Sequence, residues 1–201
     1  PVVERIAPDG LASADDGGSC ALAPFSVTPQ AWGKFLCAVF DQWVRYDVGQ
    51  MFVQIFDATL ANTAGVEPGL CSMGRTCGHA AVIEHNGDLY SCDHFVFPRY
   101  KLGNIRNKTI FEMMNSDRQI EFGQNKHDAL PGQCRACRWL RLCNGECPKN
   151  RFAVTADGEP GLNYLCEGYR RFFEHTAPAM AFMHGELMAA RPPANVMKLY
   201  R

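Results

Sequence analysis

No stretch of this sequence stays apolar for the ~18–20 residues that a bilayer span requires. No basic segment leads into a short apolar one, so neither a membrane helix nor an export leader is expected. Excess charge is also missing: 20 Lys and Arg against 21 Asp and Glu leave a formal net charge of −1. That balance gives no general attraction for nucleic acid or for an anionic membrane. There is no internal repeat and no low-complexity tract. There is no opening methionine either. The run Pro1-Val2-Val3-Glu4-Arg5-Ile6 starts inside what reads as a short buried strand at residues 2–6, so a fragment of a longer protein is expected.

What the 201 residues do contain is enough apolar side chain, 47%, and ordinary charge, 20%, for a globular core. Ten of them are cysteine. A secreted disulfide scaffold is normally shorter and denser in cysteine. Without an export leader, a reducing, cytoplasmic setting is expected, where clustered cysteines serve metals or catalysis.

Residues 1–66 carry only Cys20 and Cys37. Residues 8–27, with Asp15-Asp16-Gly17-Gly18-Ser19, read as a polar loop. Thr28 and Pro29 then suit the N-cap and first position of a helix. Trp32, Leu36, Val39, Phe40 and Trp43 follow at spacings of three and four, one apolar face. Residues 51–56 read as a second strand. Strand, loop, helix and strand together predict one right-handed crossover unit. Cys37 falls within the helix, where a free thiol acts as a small apolar residue, and neither it nor Cys20 is expected to bind metal.

The character changes near Glu67-Pro68-Gly69. Residues 81–90 predict a hairpin whose Asn86-Gly87 suits a two-residue turn with positive φ at both positions. Thr109-Ile110-Phe111-Glu112 is a capping box. Residues 169–190 predict helix interrupted near Ala177-Pro178. Phe172, Phe173, Met180, Phe182 and Met183 there are expected in the core.

Eight of the cysteines fall between Cys71 and Cys166: Cys71-x5-Cys77, then Cys92, then Cys134-x2-Cys137-x5-Cys143-x3-Cys147 before Pro148, and lastly Cys166. A cubane cluster takes four thiolates, so eight make two full sets. Spacing does not assign them. Either the local set 134, 137, 143 and 147 stays together, or one ligand is exchanged, as the Cys-x3-Cys-Pro ending suggests by analogy with ferredoxins. The same local four also suit a zinc site, and disulfides are a third reading.

With Gly87 in the hairpin, this cysteine pattern resembles the SPASM domain, the twin-cluster C-terminal extension of certain radical S-adenosylmethionine enzymes. Glu67-Pro68-Gly69-Leu70-Cys71, Tyr90-Ser91-Cys92-Asp93-His94-Phe95, Leu102-Gly103-Asn104-Ile105 and Gly33-Lys34-Phe35-Leu36 look most like anaerobic sulfatase-maturating enzymes. The SPASM match runs over about residues 67–190. The implied fold is α+β. Residues 67–201 would form the SPASM domain and C-terminal helices, with a β-hairpin, cysteine-rich loops and short helices. Residues 1–66 would form the last α/β elements of a partial (β/α)6 radical barrel.

The resemblance also implies ligand sets and chemistry. One 4Fe–4S auxiliary cluster would take Cys71, Cys77, Cys92 and Cys147, the other Cys134, Cys137, Cys143 and Cys166. With no open iron, both would serve electron transfer or structural support. Such enzymes oxidise a sulfatase Cys or Ser to formylglycine. A 5′-deoxyadenosyl radical removes hydrogen from the target's Cβ, a base takes the thiol or hydroxyl proton, and one electron leaves. The base position corresponds to Asp93; partial burial would raise its pKa, whereas a plain loop aspartate would cap a backbone N–H or face water. Partners would be an unfolded sulfatase polypeptide and a reducing donor such as flavodoxin or ferredoxin.

One departure limits this reading. The Cys-x3-Cys-x2-Cys motif that holds the S-adenosylmethionine-cleaving third cluster is absent from these residues, so this chain alone cannot start the reaction. The alternatives are a SPASM maturase of another peptide, or a stand-alone iron–sulfur or zinc module. His79, His85 and His94 are surplus to two complete sets, although His94 could tune Asp93 or contact substrate. Arg135, Arg138 and Arg141 either offset cluster charge or face solvent.

Overall fold

A computed structural model of the chain describes residues 1–7, 10–12 and 20–201. Helices and small antiparallel sheets alternate along it, an α+β architecture. Strand β1 (Arg5–Ala7) pairs with β2 (Gly10–Leu11) on one side and β3 (Ala21–Leu22) on the other. The strand expected at residues 2–6 therefore starts later, and part of the expected loop at 8–27 is strand. Ile6 is 42% exposed, whereas Val3, outside the sheet, is the residue that enters the core. The Asp15-Asp16-Gly17-Gly18-Ser19 stretch lies outside the described residues.

Helix α1 (Pro29–Tyr46) starts as its sequence predicts. Thr28 Oγ1 accepts the Ala31 N–H at 3.2 Å, and Pro29 occupies the first turn. Leu36, Phe40, Trp43 and Val44 are buried; Trp32 and Val39 pack beside them. No second strand follows. Met51 and Phe52 are exposed, and α2 (Gln54–Ala64) takes over. Two local bonds and a glycine cap explain the difference. The Met51 carbonyl accepts the Trp43 indole N–H at 2.8 Å. Asp57 Oδ2 accepts the Val53 N–H at 3.1 Å, capping α2, and Gly65 ends it in left-handed conformation at φ 77°. Phe56 then turns inward, 5.2 Å from the rings of both Phe40 and Trp43. The expected strand–helix–strand crossover is thus replaced by strand, helix, helix.

Strands β4 (Val82–Ile83) and β5 (Asp88–Tyr90) form the predicted hairpin, and β6 (Lys101–Asn104) adds to it. Its turn differs from the expected one. The Gly87 N–H returns to the Glu84 carbonyl and the Glu84 N–H to Asp88, and Gly87 alone takes positive φ, 88°. This is a longer loop closed by a glycine bulge. Helix α3 (Ile110–Met114) carries the capping box of Thr109 and Glu112, and α4 (Asp117–Asp128) starts on Ser116. Short helices α5 (Gly132–Arg135) and α6 (Leu140–Cys143) and the hairpin β7 (Ala153–Val154) with β8 (Pro160–Leu162) lead to α7 (Cys166–Met188) and α8 (Met197–Tyr200).

Helix α7 runs unbroken through Pro178. A mid-helix proline costs about 3 kcal/mol. Phe172, Phe173, Met180 and Met183, on both sides of it, are 0–1% exposed, and burying each contributes about 1.5–3 kcal/mol, so packing prevails. Phe182 is only partly buried against this core. Helices α1 and α7 touch at Gly33 and Gly168. A Cβ on Gly33 would come within 2.9 Å of the Gly168 backbone, so neither position has room for a side chain. The α1–α2–α7 core is the platform from which the cysteine-bearing loops extend.

Candidate metal centres

The eight clustered cysteines arrive from short segments. Cys71 and Cys77 sit on the loop after α2, Cys92 follows β5, Cys134 lies in α5, Cys143 ends α6, and Cys166 begins α7. All ten cysteines are free thiols. The fold gathers the eight around two cavities. One, of about 350 Å³, is lined by Cys134, Cys137, Cys143 and Cys166 beside Trp139, Tyr169 and Phe173. The other, of about 210 Å³, is lined by Cys71, Cys77, Cys92 and Cys147 beside Phe95 and Glu146. Neither cavity borrows a cysteine from the other, so the local four of residues 134–147 are not kept together. Cys37 is buried in α1 and Cys20 lies just before β3, and neither lines either cavity.

Backbone and side-chain bonds hold these loops. Gln119 Nε2 donates to the Gly78 carbonyl at 2.6 Å and the Ser91 carbonyl at 3.1 Å, tying the residues next to Cys77 and Cys92. The Cys77 N–H donates to the Gly123 carbonyl. Asn62 Nδ2 donates to the Met73 and Leu142 carbonyls, both at 3.0 Å, joining the loop of one site to α6 of the other.

Burial, with the charges of neighbouring acids and thiols behind it, pushes Cys92, Cys143 and Cys147 up to about 12 and Cys166 to about 11. Such thiols keep their protons at neutral pH until a cation takes the protons' place. Four convergent, unpaired thiols per cavity fit a thiolate-ligated metal group. Thiolates also select soft ions and iron–sulfur clusters over hard cations.

Charged residues are buried or half-buried among the cysteine-bearing loops, Lys126, Arg151 and Glu146 foremost. Lys126, 1% exposed, donates through Nζ to the Cys71 and Ser72 carbonyls at 2.9 Å and to Gly74. Burial and then the Arg151 charge lower it to about 8. Arg151 donates to the carbonyls of Asn144 and Gly145 at 2.9 Å, Glu146 at 3.1 Å and Lys126 at 2.5 Å. The buried Glu146 carboxylate accepts the Asn163 amide at 2.9 Å. None of the three stands out in the sequence: Glu146 and Arg151 lie close to Cys147 in the chain, Lys126 is eight residues from the nearest cysteine, and burial leaves no mark there.

Arg135, Arg138 and Arg141 are exposed at the outer face of these loops, and Arg138 also lines the cavity of Cys134, Cys137, Cys143 and Cys166. Arg135 donates to the Leu130 and Asp128 carbonyls, and Arg138 lies 4.3 Å from the Trp139 ring. With Arg75, Arg141 and His127 they line a groove of about 700 Å³ that Cys137 also borders. His79, His85 and His94 are exposed, and only His94 reaches a cysteine cavity. The Asp93 side chain is 63% exposed, its Oδ1 3.1 Å from Cys92 Sγ and 3.5 Å from His94 Nδ1. Its carboxyl therefore lies below the usual range, held there first by the Cys92 hydrogen bond; the expected rise through burial does not occur.

Residues 71–138 match the SPASM family, described as an iron–sulfur cluster-binding domain. Within it, the chain resembles anaerobic sulfatase-maturating enzymes. It is 61% identical over 202 residues to a serine-type anaerobic sulfatase-maturating enzyme of Bacteroides thetaiotaomicron, covering 98% of this chain and 49% of that protein. To a cysteine-type anaerobic sulfatase-maturating enzyme of Clostridium perfringens it is 31% identical, over 78% of this chain and 42% of the relative. The solved structure of native anSMEcpe with bound AdoMet and Cp18Cys peptide superposes with a TM-score of 0.71 at 29% identity, over 87% of this chain and 48% of that one. The chain spans about half the length, or less, of these sulfatase-maturating relatives. No helix among the described residues is long and apolar enough to cross a membrane.

Proposed function

We propose that this chain is the auxiliary-cluster part of an anaerobic sulfatase-maturating enzyme, which oxidises a sulfatase Cys or Ser to formylglycine by radical S-adenosylmethionine chemistry. The observation that carries it is the pair of cavities, each lined by four free thiols and sharing none. Cys71, Cys77, Cys92 and Cys147 would hold one 4Fe–4S cluster, and Cys134, Cys137, Cys143 and Cys166 the other. When bound, each cluster supplies a one-electron couple or a structural cross-link. S-adenosylmethionine and a third cluster belong to the segment that carries Cys-x3-Cys-x2-Cys, a motif these residues lack. Residues 1–66 would close the barrel of that segment, ahead of the SPASM unit at 67–201.

Asp93 is the base in this reading. Its exposed carboxylate is ionised near neutral pH and open to a polypeptide, so it can take the proton of the target thiol or hydroxyl. The polypeptide partner is an unfolded sulfatase. The electron donor is an acidic carrier such as flavodoxin or ferredoxin, in the cytoplasm, and the arginine-lined groove beside Cys137 offers it a complementary surface.

The test uses the full-length enzyme, reconstituted without oxygen. About eight auxiliary irons, and a loss of turnover of about 10²–10⁴-fold in Asp93→Asn with its iron retained, support the reading. Zinc in place of iron establishes the stand-alone module instead. Full turnover by Asp93→Asn removes the base assignment, and activity only on peptides other than sulfatases indicates a maturase of another class.

A further inference from the structure

Arg151 stands between the two cavities, and nothing in the cluster reading requires a charge there. Its side chain donates to three consecutive carbonyls, Asn144, Gly145 and Glu146, the linker between Cys143 of one site and Cys147 of the other. It is within electrostatic reach of Cys134 and Cys143 on one side and of Cys147 and Cys77 on the other. Lys126 reaches Cys77 and Cys147, members of one set only. Glu146 offsets one of these charges and is fixed by Asn163 and Asn150. Two cations against one carboxylate leave a net positive charge within the wall that separates the sites.

We propose that Arg151 sets the reduction potentials of both clusters together, and that Lys126 adds to one of them. The inference rests on the cluster reading. The physical reason is charge. Each reduction adds a negative charge to a thiolate-ligated cluster, and net charge and burial are what set its potential. A guanidinium does not deprotonate in proteins. Held in a part-buried wall, it is screened less than a surface charge, so it stabilises the reduced form on both sides. Arg151 does not touch substrate; it is a positioning residue that acts through the field at the two sites. A shared cation also couples their potentials, so that a substitution there displaces the two in the same direction.

The experiment takes the anaerobically reconstituted full-length enzyme and titrates each auxiliary cluster by EPR-monitored redox poise. Signals are assigned with Cys92→Ala and Cys134→Ala. Arg151→Met is expected to lower both midpoints, the reduced-to-oxidised ratio at fixed potential falling about tenfold, or 59 mV for one electron. Arg151→Lys keeps the charge and loses the planar fork; both midpoints then stay within about twofold in that ratio. Lys126→Met is expected to lower the Cys71, Cys77, Cys92, Cys147 cluster alone. Unmoved midpoints in a loaded Arg151→Met, or an equal shift in Arg151→Lys, overturn the proposal and leave a structural clamp. Should Arg151→Met hold no iron, Lys126→Met decides: movement of both clusters, or of neither, overturns it. Absence of iron from the parent enzyme is a failure of the cluster reading instead.

Discussion

Cys143 and Cys147 lie on one short loop yet line different cavities. The three residues between them are all left-handed: Asn144 at φ 47°, Gly145 at 69° and Glu146 at 52°. That conformation costs roughly 1–2 kcal/mol for each non-glycine residue, so it persists only where surroundings fix it. Here they do: Asn144 Nδ2 donates to the Met73 carbonyl at 2.8 Å, and Arg151 takes all three linker carbonyls. Gly145 has no room for a Cβ, which would meet Leu130 and Arg151. The loop thus reverses direction and delivers two neighbouring thiols to two sites.

This sorting is directly testable. Cys143→Ala is expected to lose the same cluster signal as Cys134→Ala, and Cys147→Ala the same as Cys92→Ala, each variant keeping about half the iron. Mössbauer and EPR spectra of the four variants identify which cluster each has lost. If Cys143→Ala and Cys147→Ala lose one and the same signal, the four cysteines of 134–147 act as a local set and the sorting is wrong.

Much of this was legible in the sequence. The eight cysteines announce themselves by spacing, and α1 and α3 by their caps. What escaped reading was decided by tertiary contacts. Residues 51–56 are apolar enough for a strand, and a run that short does not separate strand from helix. Phe56 reaching Phe40 and Trp43 decided for helix, with Asp57 and Gly65 holding its two ends. Pro178 signals a break, but four buried side chains around it outweigh the cost. Lys126 and Arg151 look like ordinary surface charges until the loops close over them.

Glu186 carries a pH prediction. Hydrogen bonds from Arg191, with Nη2 to Oε1 at 2.6 Å, and from Asn195 at 2.6 Å hold its carboxyl below the usual range. A carboxyl depressed on folding stabilises the native state above its unfolded pKa, and that contribution disappears as pH falls through the lower folded value. Stability is therefore expected to decline on acidification from about pH 5 downward, as Glu186 protonates. Glu186→Gln should lower Tm at neutral pH and flatten its acid slope, read from melts at a series of pH values. A parallel slope in parent and variant would remove Glu186 from the account.

The aromatic platform is expected to be costly to disturb. Phe172 is fully buried, with its ring 5.8 Å from Phe56 and 6.3 Å from Phe40. Truncation to alanine leaves a cavity and costs about 3–5 kcal/mol. Each kcal/mol corresponds to roughly 2–4 °C in Tm at this chain length. Phe172→Leu, which keeps most of the volume, should lose much less. Calorimetric melts of both variants check the order, and equal losses would mean that shape and volume at this position are not what α7 depends on.

Metal removal should affect the two halves of the architecture differently. The α1–α2–α7 platform is held by buried aromatic rings, such as Phe40 and Phe56 5.2 Å apart, which need no ligand. Residues 67–165 have only strands of two to four residues and helices that reach a dozen residues at most. Thiolates left without a cation repel one another: the charges of Cys71 and Cys77 raise the pKa of Cys147, and those of Cys134 and Cys137 raise that of Cys166. A bound metal group converts that repulsion into attachment, so its binding energy is folding energy for these loops. Chelation is therefore expected to open cleavage sites between residues 67 and 165 while α1 and most of α7 survive limited proteolysis. Mass spectrometry of the fragments distinguishes this from uniform unfolding. An apo protein as resistant as the loaded one, with the same fragments, would show that Gln119, Asn62, Lys126 and Arg151 hold the loops without metal.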